Sequence, residues 1–171
     1  MAKPNNIVLT GFMGTGKTTV GKALAAILGW RYIDTDELIE QKTGLSIPAI
    51  FQQQGEPFFR DVESEVITET MQNTQQVIST GGGIVIREQN IKSIKSNGIM
   101  VCLAATPEVI FERIKSDTNR PLLHVENPKQ QIQELLKVRA PYYAKADITI
   151  ITTSLMPEEI AHRIIEMIKT I

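Results

Sequence analysis

Short apolar runs alternate with longer stretches of helical periodicity along most of the chain. Ile7-Val8-Leu9-Thr10 is an apolar run bounded by polar residues and Gly11, the pattern of a short strand. From Lys17 to Leu28 the apolar side chains of Val20, Leu24, Ile27 and Leu28 fall on one helical face, and Gly29 supplies the stop. Arg31-Tyr32-Ile33 predicts a second strand, and residues 36–42 a helix ending near Gly44. Residues 47–54 carry a weaker helical pattern, with Gly55 after it. Phe58, Val62, Val66, Ile67 and Met71 mark a long amphipathic helix over 57–71. Gln76-Val77-Ile78-Ser79 predicts a third strand, closed by Gly81-Gly82-Gly83. A helix near 87–95, a fourth strand at 99–103 and a helix over 107–115, with Pro107 at its first turn, follow. Residues 128–144 predict a helix broken at Pro141, residues 148–152 a fifth strand, and Pro157 to Ile168 a last helix.

This alternation predicts an α/β fold, a parallel sheet with helices on both faces in three α/β/α layers. The strands are nearly all apolar, as expected when both faces are covered. No repeat, linker or low-complexity segment interrupts the pattern, and 171 residues suit one domain over 1–171. Residues 116–128 are the one long stretch without periodicity, so they are expected to form a binding loop or mobile lid.

Composition narrows the function. Hydrophobic residues make up 42% and charged residues 22% of the chain, the mix of a soluble globule. With a formal net charge of −1, nothing global attracts nucleic acid or an anionic membrane, so neither is an expected partner and any anion site must be local. The apolar runs fall well short of the roughly 20 residues that cross a bilayer. The segment before Ile7 has no apolar run and does not read as a signal peptide. Cys102 is the single cysteine, sits in an apolar run and is expected to be a buried thiol, which excludes a disulfide or zinc framework. The cytoplasm is the expected compartment and a monomer the expected state.

The chemistry begins at Gly11-Phe12-Met13-Gly14-Thr15-Gly16-Lys17-Thr18, which fits G-x-x-x-x-G-K-[ST] at every fixed position. A predicted strand precedes it and a predicted helix opens at Lys17, the context a P-loop requires. The glycines let backbone N–H groups curl around phosphate oxygens, and the helix N-terminus adds partial positive charge. Gly14, Thr15, Gly16, Lys17, Thr18 and Thr19 are therefore the expected ATP contacts. Lys17 would reach the β- and γ-phosphates, and the Thr18 hydroxyl would bind Mg²⁺.

The metal also needs an acid at the carboxyl end of a strand. The third strand ends in Ser79-Thr80-Gly81 and the fourth in Leu103-Ala104-Ala105, neither acidic. Asp147 stands at the wrong end of its strand. Asp34-Thr35-Asp36 remains. If that segment is extended, both carboxylates point to one side. One would then serve the metal and the other the acceptor. The competing reading is a pair that caps the next helix.

The acceptor side is less local. Gly81-Gly82-Gly83 suggests close approach of a ligand or another chain segment. Arg60 and Arg139 would bind a carboxylate bidentately if the fold brought them together. Arg120, inside the predicted lid, would neutralise phosphate charge in the transition state. His124 and His162 sit in no partner pattern.

In the order and spacing of these residues, the chain resembles the shikimate kinases. The likeness runs from about Ile7 to about Thr152. It includes residues 11–18, Asp34-Thr35-Asp36, Phe59-Arg60 with Glu63 three residues on, Gly81-Gly82-Gly83, Arg120-Pro121-Leu122-Leu123, and Arg139 followed by Tyr142 and Ala146-Asp147. The resemblance implies a nucleoside-monophosphate-kinase-like fold, with a five-stranded parallel sheet in order 2-3-1-4-5 and a lid. It implies transfer of the γ-phosphoryl group of ATP to the 3-hydroxyl of shikimate, a step of aromatic amino-acid biosynthesis. Thr18 and Asp34 would organise Mg²⁺, and Asp36, Arg60, Gly82 and Arg139 would hold shikimate. Lys17, Asp36 and Arg120 would be catalytic. Arg113 resembles a second family arginine near the nucleotide, and residues 153–155 are expected near the adenine. Another small-molecule P-loop kinase, such as a gluconate kinase, is the alternative enzyme. A nucleotide-binding switch is the alternative class, and it would have no need for the glycine run and the two arginines.

Overall fold

The structure is a computed structural model and describes residues 4–117 and 125–171. Five strands form one parallel sheet: β1 (Asn6–Thr10), β2 (Arg31–Asp34), β3 (Gln76–Ser79), β4 (Ile99–Ala104) and β5 (Ile148–Ile151), in the order β2-β3-β1-β4-β5. Eight α-helices lie among them: α1 (Lys17–Leu28), α2 (Thr35–Thr43), α3 (Ile47–Gln53), α4 (Gly55–Thr70), α5 (Glu88–Asn97), α6 (Pro107–Ile114), α7 (Pro128–Tyr143) and α8 (Pro157–Ile168), with a 3-10 turn at Ile84–Ile86. The parallel sheet and its predicted order are thus both present.

Alternation along the strands divides the core. Ile7 and Leu9 of β1, Val77 of β3, Val101 and Leu103 of β4, and Ile148 and Ile150 of β5 pack with Val20 and Leu24 of α1 and Ile160 and Ile164 of α8. Val8, Ile78, Met100 and Cys102 point to the other face, against Ile67 of α4, Ile91 and Ile94 of α5, Ile110 of α6 and Ile132 of α7. A third cluster joins α2, α3 and α4 through Ile39, Ile50, Phe59, Val62 and Val66. It holds these three helices together beside the edge strand β2, and α4 carries Arg60. Among the described residues no helix is long and apolar enough to cross a membrane.

Strand β1 lies between β3 and β4, so the chain leaves it at the point where strand order reverses. Ligands of such sheets bind at the carboxyl ends of the strands at that point, and the P-loop follows β1 there.

Two local expectations change. Helix α7 continues through Pro141 to Tyr143 rather than breaking. Pro141 removes one hydrogen bond, that to the Lys137 carbonyl, and does so near the helix end where both residues are exposed. The segment after β2 is also not extended. The chain turns helical at Thr35, and Asp34 caps α2 by accepting the Asp36 N–H at 2.9 Å. The capping geometry therefore holds for Asp34, and the same-side geometry of an extended pair does not.

Candidate active site

The P-loop links β1 to α1, and its shape depends on glycine at two places. Gly11 has φ +135°, and a Cβ there would lie 2.2 Å from the Leu103 carbonyl oxygen of β4. Gly16, in the left-handed region at φ +96°, is the N-cap of α1. Left-handed backbone costs an L-residue roughly 1–2 kcal/mol. The loop thus delivers the α1 N-terminus, with its unpaired N–H groups, to that end of the sheet. Thr15 is buried and its hydroxyl donates to the Phe12 carbonyl at 2.7 Å, bracing the loop and leaving the backbone to face a phosphate. The Thr19 hydroxyl donates to the Gly16 carbonyl at 3.1 Å. Lys17 folds over the loop and donates to the carbonyl oxygens of Gly11 at 2.8 Å and Phe12 at 3.0 Å.

Arg113 of α6 ties this cradle to the end of β5. Its guanidinium donates to the Gly14 carbonyl at 3.1 Å, and to the Thr152 hydroxyl and carbonyl at 3.0 and 3.1 Å. Arg113 therefore stands between the P-loop and the end of β5.

Thr18 is exposed at the first turn of α1. Asp34 ends β2, with Ser79 of β3 as its register partner. Between them stands the Tyr32 hydroxyl, which donates to Asp34 Oδ2 at 3.3 Å and interacts with the side chains of Ser79 and Thr18. Burial raises the Tyr32 pKa, so the phenol stays protonated. Among the described residues no group of three or more His, Cys, Asp or Glu could hold a metal. A hydroxyl and a carboxylate facing a phosphate cradle instead match the sparse protein donor set of Mg²⁺, which keeps waters and takes phosphate oxygens. The residues therefore fit the metal.

The three glycines after β3 each make room for a different side chain. A Cβ at Gly81 would lie 3.1 Å from Glu63 Oε1 and 3.2 Å from Asp36 Oδ1. At Gly82 it would lie 3.3 Å from Arg139 Nη1, 3.4 Å from the Tyr143 hydroxyl and 3.2 Å from the Gly11 carbonyl oxygen of the P-loop. At Gly83 it would fall 2.5 Å from both Arg60 Nη1 and Nη2. The glycine platform thus gathers Asp36, Arg60 and Arg139, residues far apart in the chain, and sets them beside the phosphate cradle.

The electrostatics follow from that crowding. Burial pushes the Asp36 carboxyl up to about 6, and Asp34 adds to the rise, while Lys17 and Arg60 oppose it. Arg60 donates to Glu63 Oε2 at 2.7 Å and to Glu56 at 3.2 Å. Burial alone would lower the Arg60 pKa, but Glu63 and Glu56 outweigh it and raise it. Glu63 is raised by its own burial against the attraction of Arg60. Its Oε1 is buried with no hydrogen-bond partner among the described residues. The Arg139 guanidinium lies 5.5 Å from the Phe12 ring centre, a cation–π distance.

Of the other predicted residues, Arg120 lies outside the described residues, as do His124 and most of the predicted lid. Asp147 stands at the far end of the sheet, accepting from Lys95 at 2.7 Å and from the Met100 N–H at 2.8 Å. Two site residues escaped the sequence reading, and Glu63 entered it only as part of a motif. Tyr32 and Tyr143 look like ordinary apolar positions in their elements. Glu63 carried a signal in its i,i+3 spacing from Arg60.

The sequence profile of the shikimate kinase family matches residues 13–169. A shikimate kinase of Thermodesulfovibrio yellowstonii is 54% identical over 161 residues, covering 94% of this chain and 93% of the relative. The structure of a shikimate kinase from Acinetobacter baumannii in complex with shikimate superposes with a TM-score of 0.92 at 42% identity, covering 98% of this chain and 94% of that one. A gluconokinase from Sinorhizobium meliloti, 18% identical with a TM-score of 0.60 over 99% of this chain and 94% of its own, shares the fold alone. Because the shikimate kinase profile matches residues 13–169 and a shikimate kinase is 54% identical over 94% of the chain, the chain belongs to the shikimate kinase family.

Proposed function

We infer that this protein transfers the γ-phosphoryl group of ATP to the 3-hydroxyl of shikimate, giving shikimate 3-phosphate and ADP. The observation that carries the reading is the convergence of Asp36, Arg60 and Arg139 around Gly81-Gly82-Gly83, next to the Gly11 carbonyl of the P-loop. A carboxylate-bearing polyol laid on that platform meets two guanidinium groups at its acid end. Its hydroxyls then lie between Asp36 and the phosphate cradle.

Each residue has a distinct task in this reading. The backbone of Gly14, Thr15 and Gly16 and the α1 N-terminus bind the phosphates, with Thr18, Thr19 and Arg113 at the nucleotide side. Lys17 exchanges its loop carbonyls for the β- and γ-phosphates. Thr18 and Asp34 hold Mg²⁺, which when bound neutralises charge on the phosphate oxygens. Arg60 and Arg139 fix the shikimate carboxylate, and Gly82 lets the ring approach. Asp36 accepts a hydrogen bond from the attacking hydroxyl and directs its lone pair at the γ-phosphorus. Because the transition state is loose, orienting the hydroxyl matters more than removing its proton early. Arg120, outside the described residues, keeps the task the family resemblance gives it, neutralising phosphate charge in the transition state. The proposed working unit is a monomer in the cytoplasm.

A coupled assay of ADP release with shikimate, gluconate and other hydroxy acids tests the reading. Turnover with shikimate well above all others is the expected result. Equal or greater turnover with gluconate overturns it.

A further inference from the structure

Tyr32 is the site residue to which the phosphate cradle, metal pair and acceptor platform give no task. It is the second residue of the edge strand β2. Its ring lies against α1 at Gly21, where a Cβ would fall 2.8 Å from Tyr32 Cε2 and 3.3 Å from Leu9 Cδ1. Gly21 therefore leaves a slot that a side chain would close, and the ring occupies it. Lys22 stands at the open edge, with Nζ 5.7 Å from the ring centre. A ring held in this slot carries its hydroxyl to the first turn of α1 and the end of β2 together.

There the hydroxyl donates to Asp34 Oδ2 at 3.3 Å, while Asp34 Oδ1 accepts the Asp36 N–H at 2.9 Å. One oxygen is fixed by the backbone and the other by the phenol, so the plane of the carboxylate is set from both ends. The side chains of Thr18 and Ser79 are the phenol's other polar neighbours. The contact to Asp34 is long, and such contacts tighten when ligands complete a site.

We propose that Tyr32 is a positioning residue for the metal end of the site, its hydroxyl holding the Asp34 carboxylate and the Thr18 hydroxyl in the arrangement that receives the Mg²⁺ of MgATP. The inference rests on the reading of Thr18 and Asp34 as the metal pair. Phenylalanine fills the Gly21 slot equally well, so Tyr32→Phe removes the hydroxyl without disturbing the packing.

The test compares full-length wild type, Tyr32→Phe and Asp34→Asn. Calorimetry measures ATP binding across a Mg²⁺ series and in EDTA, with shikimate binding and thermal stability alongside. Groups that orient metal ligands through hydrogen bonds typically contribute 10- to 100-fold to metal affinity, so Tyr32→Phe should raise the Mg²⁺ needed for half-maximal tightening of ATP by about 10-fold. ATP binding in EDTA, shikimate binding and Tm should stay at wild-type values. If Asp34→Asn leaves the Mg²⁺ requirement unchanged, the metal pair is wrong and the role of Tyr32 falls with it. If Asp34→Asn shifts the requirement and Tyr32→Phe does not, the metal pair stands and the Tyr32 inference alone is overturned. Weakening of ATP equally with and without Mg²⁺ in Tyr32→Phe also overturns it, because that pattern belongs to a packing residue.

Discussion

The Tyr143 hydroxyl donates a 2.7 Å hydrogen bond to the Gly82 carbonyl oxygen, joining α7 to the glycine platform after β3. Tyr143 follows Arg139 by four residues, so an unbroken helix places both on one face. Burial pushes the Tyr143 phenol up to about 12, so it remains a donor throughout the working pH range. A neutral hydrogen bond contributes roughly 0.5–1.5 kcal/mol. Tyr143→Phe should therefore raise KM for shikimate by about 2- to 12-fold on that scale, with KM for ATP unchanged. Steady-state kinetics with each substrate varied checks this. An equal rise in both KM values would assign Tyr143 to general stability.

Arg60 and Arg139 should differ when removed, although both face the acceptor. Each charge-assisted bond contributes roughly 1.5–3 kcal/mol, so either Arg→Ala change should weaken shikimate by about 10- to 100-fold and spare ATP. The Arg60 side chain, 13% exposed, also neutralises Glu63, which is 1% exposed. Removing one partner of a buried pair costs about 3–5 kcal/mol. Arg60→Ala should lower Tm and Arg139→Ala should not. The loss should grow with pH, because Glu63 escapes part of it by taking a proton. Thermal melts from pH 5 to pH 8 measure the difference, and parallel curves for the two variants would contradict it.

Asp36 is expected to trade stability for activity. Its carboxyl titrates near 6 in the fold against 3.8 as the reference value. Between those pH values the folded chain binds more proton than the unfolded chain. Stability of the enzyme without substrates therefore falls as pH rises from about 4 to about 6 and stays lower above that. At 1.36 kcal/mol per pKa unit, the penalty above pH 6 is on the order of 2–3 kcal/mol. Asp36→Asn does not titrate, so it should melt above wild type at pH 7.5, and the gap should vanish below about pH 4. The same variant should lose about two orders of magnitude or more in kcat/KM for shikimate. Near-normal turnover would remove Asp36 from the mechanism.

Gly83→Ala tests the platform without replacing a charged residue. The new Cβ would fall 2.5 Å from Arg60 Nη1 and Nη2 and 2.7 Å from Cζ. The guanidinium is the far end of a flexible side chain and can move aside, so the fold should survive while the carboxylate clamp opens. KM for shikimate should rise toward that of Arg60→Ala, by about 10-fold or more on the charge-assisted scale. Gly11→Ala meets the Leu103 carbonyl oxygen at 2.2 Å instead. Backbone cannot step aside so cheaply, and this variant should lose thermal stability as well as ATP binding. A Gly83→Ala enzyme with unchanged KM would show that Arg60 is not held by the platform.

What the sequence determined by itself was whatever neighbouring residues decide among themselves. Residues 11–18 dictate a phosphate cradle because the glycines and the helix start are adjacent in the chain. Alternating apolar runs dictate a covered sheet because side-chain direction repeats every two residues in a strand. The strand order and the shikimate reading were legible only through resemblance to a family, since no local pattern encodes which strands pair. Tertiary structure decided the rest. Asp36, Arg60 and Arg139 meet because β3 lies between β2 and β1, which sets the glycine run beside the P-loop. Helix α7 survives Pro141 because a single hydrogen bond is lost near its exposed end, and that survival aligns Arg139 with Tyr143. The chain turns at Thr35 because Asp34 finds the Asp36 N–H to cap, which separates the two carboxylates by role. Tyr32 reaches the metal end only because Gly21, on another element, has no side chain. The meeting of Asp36, Arg60 and Arg139 and the placing of Tyr32 depend on contacts between residues distant in the chain. Propensity and spacing describe near neighbours only, so the packed fold was needed to bring these residues together.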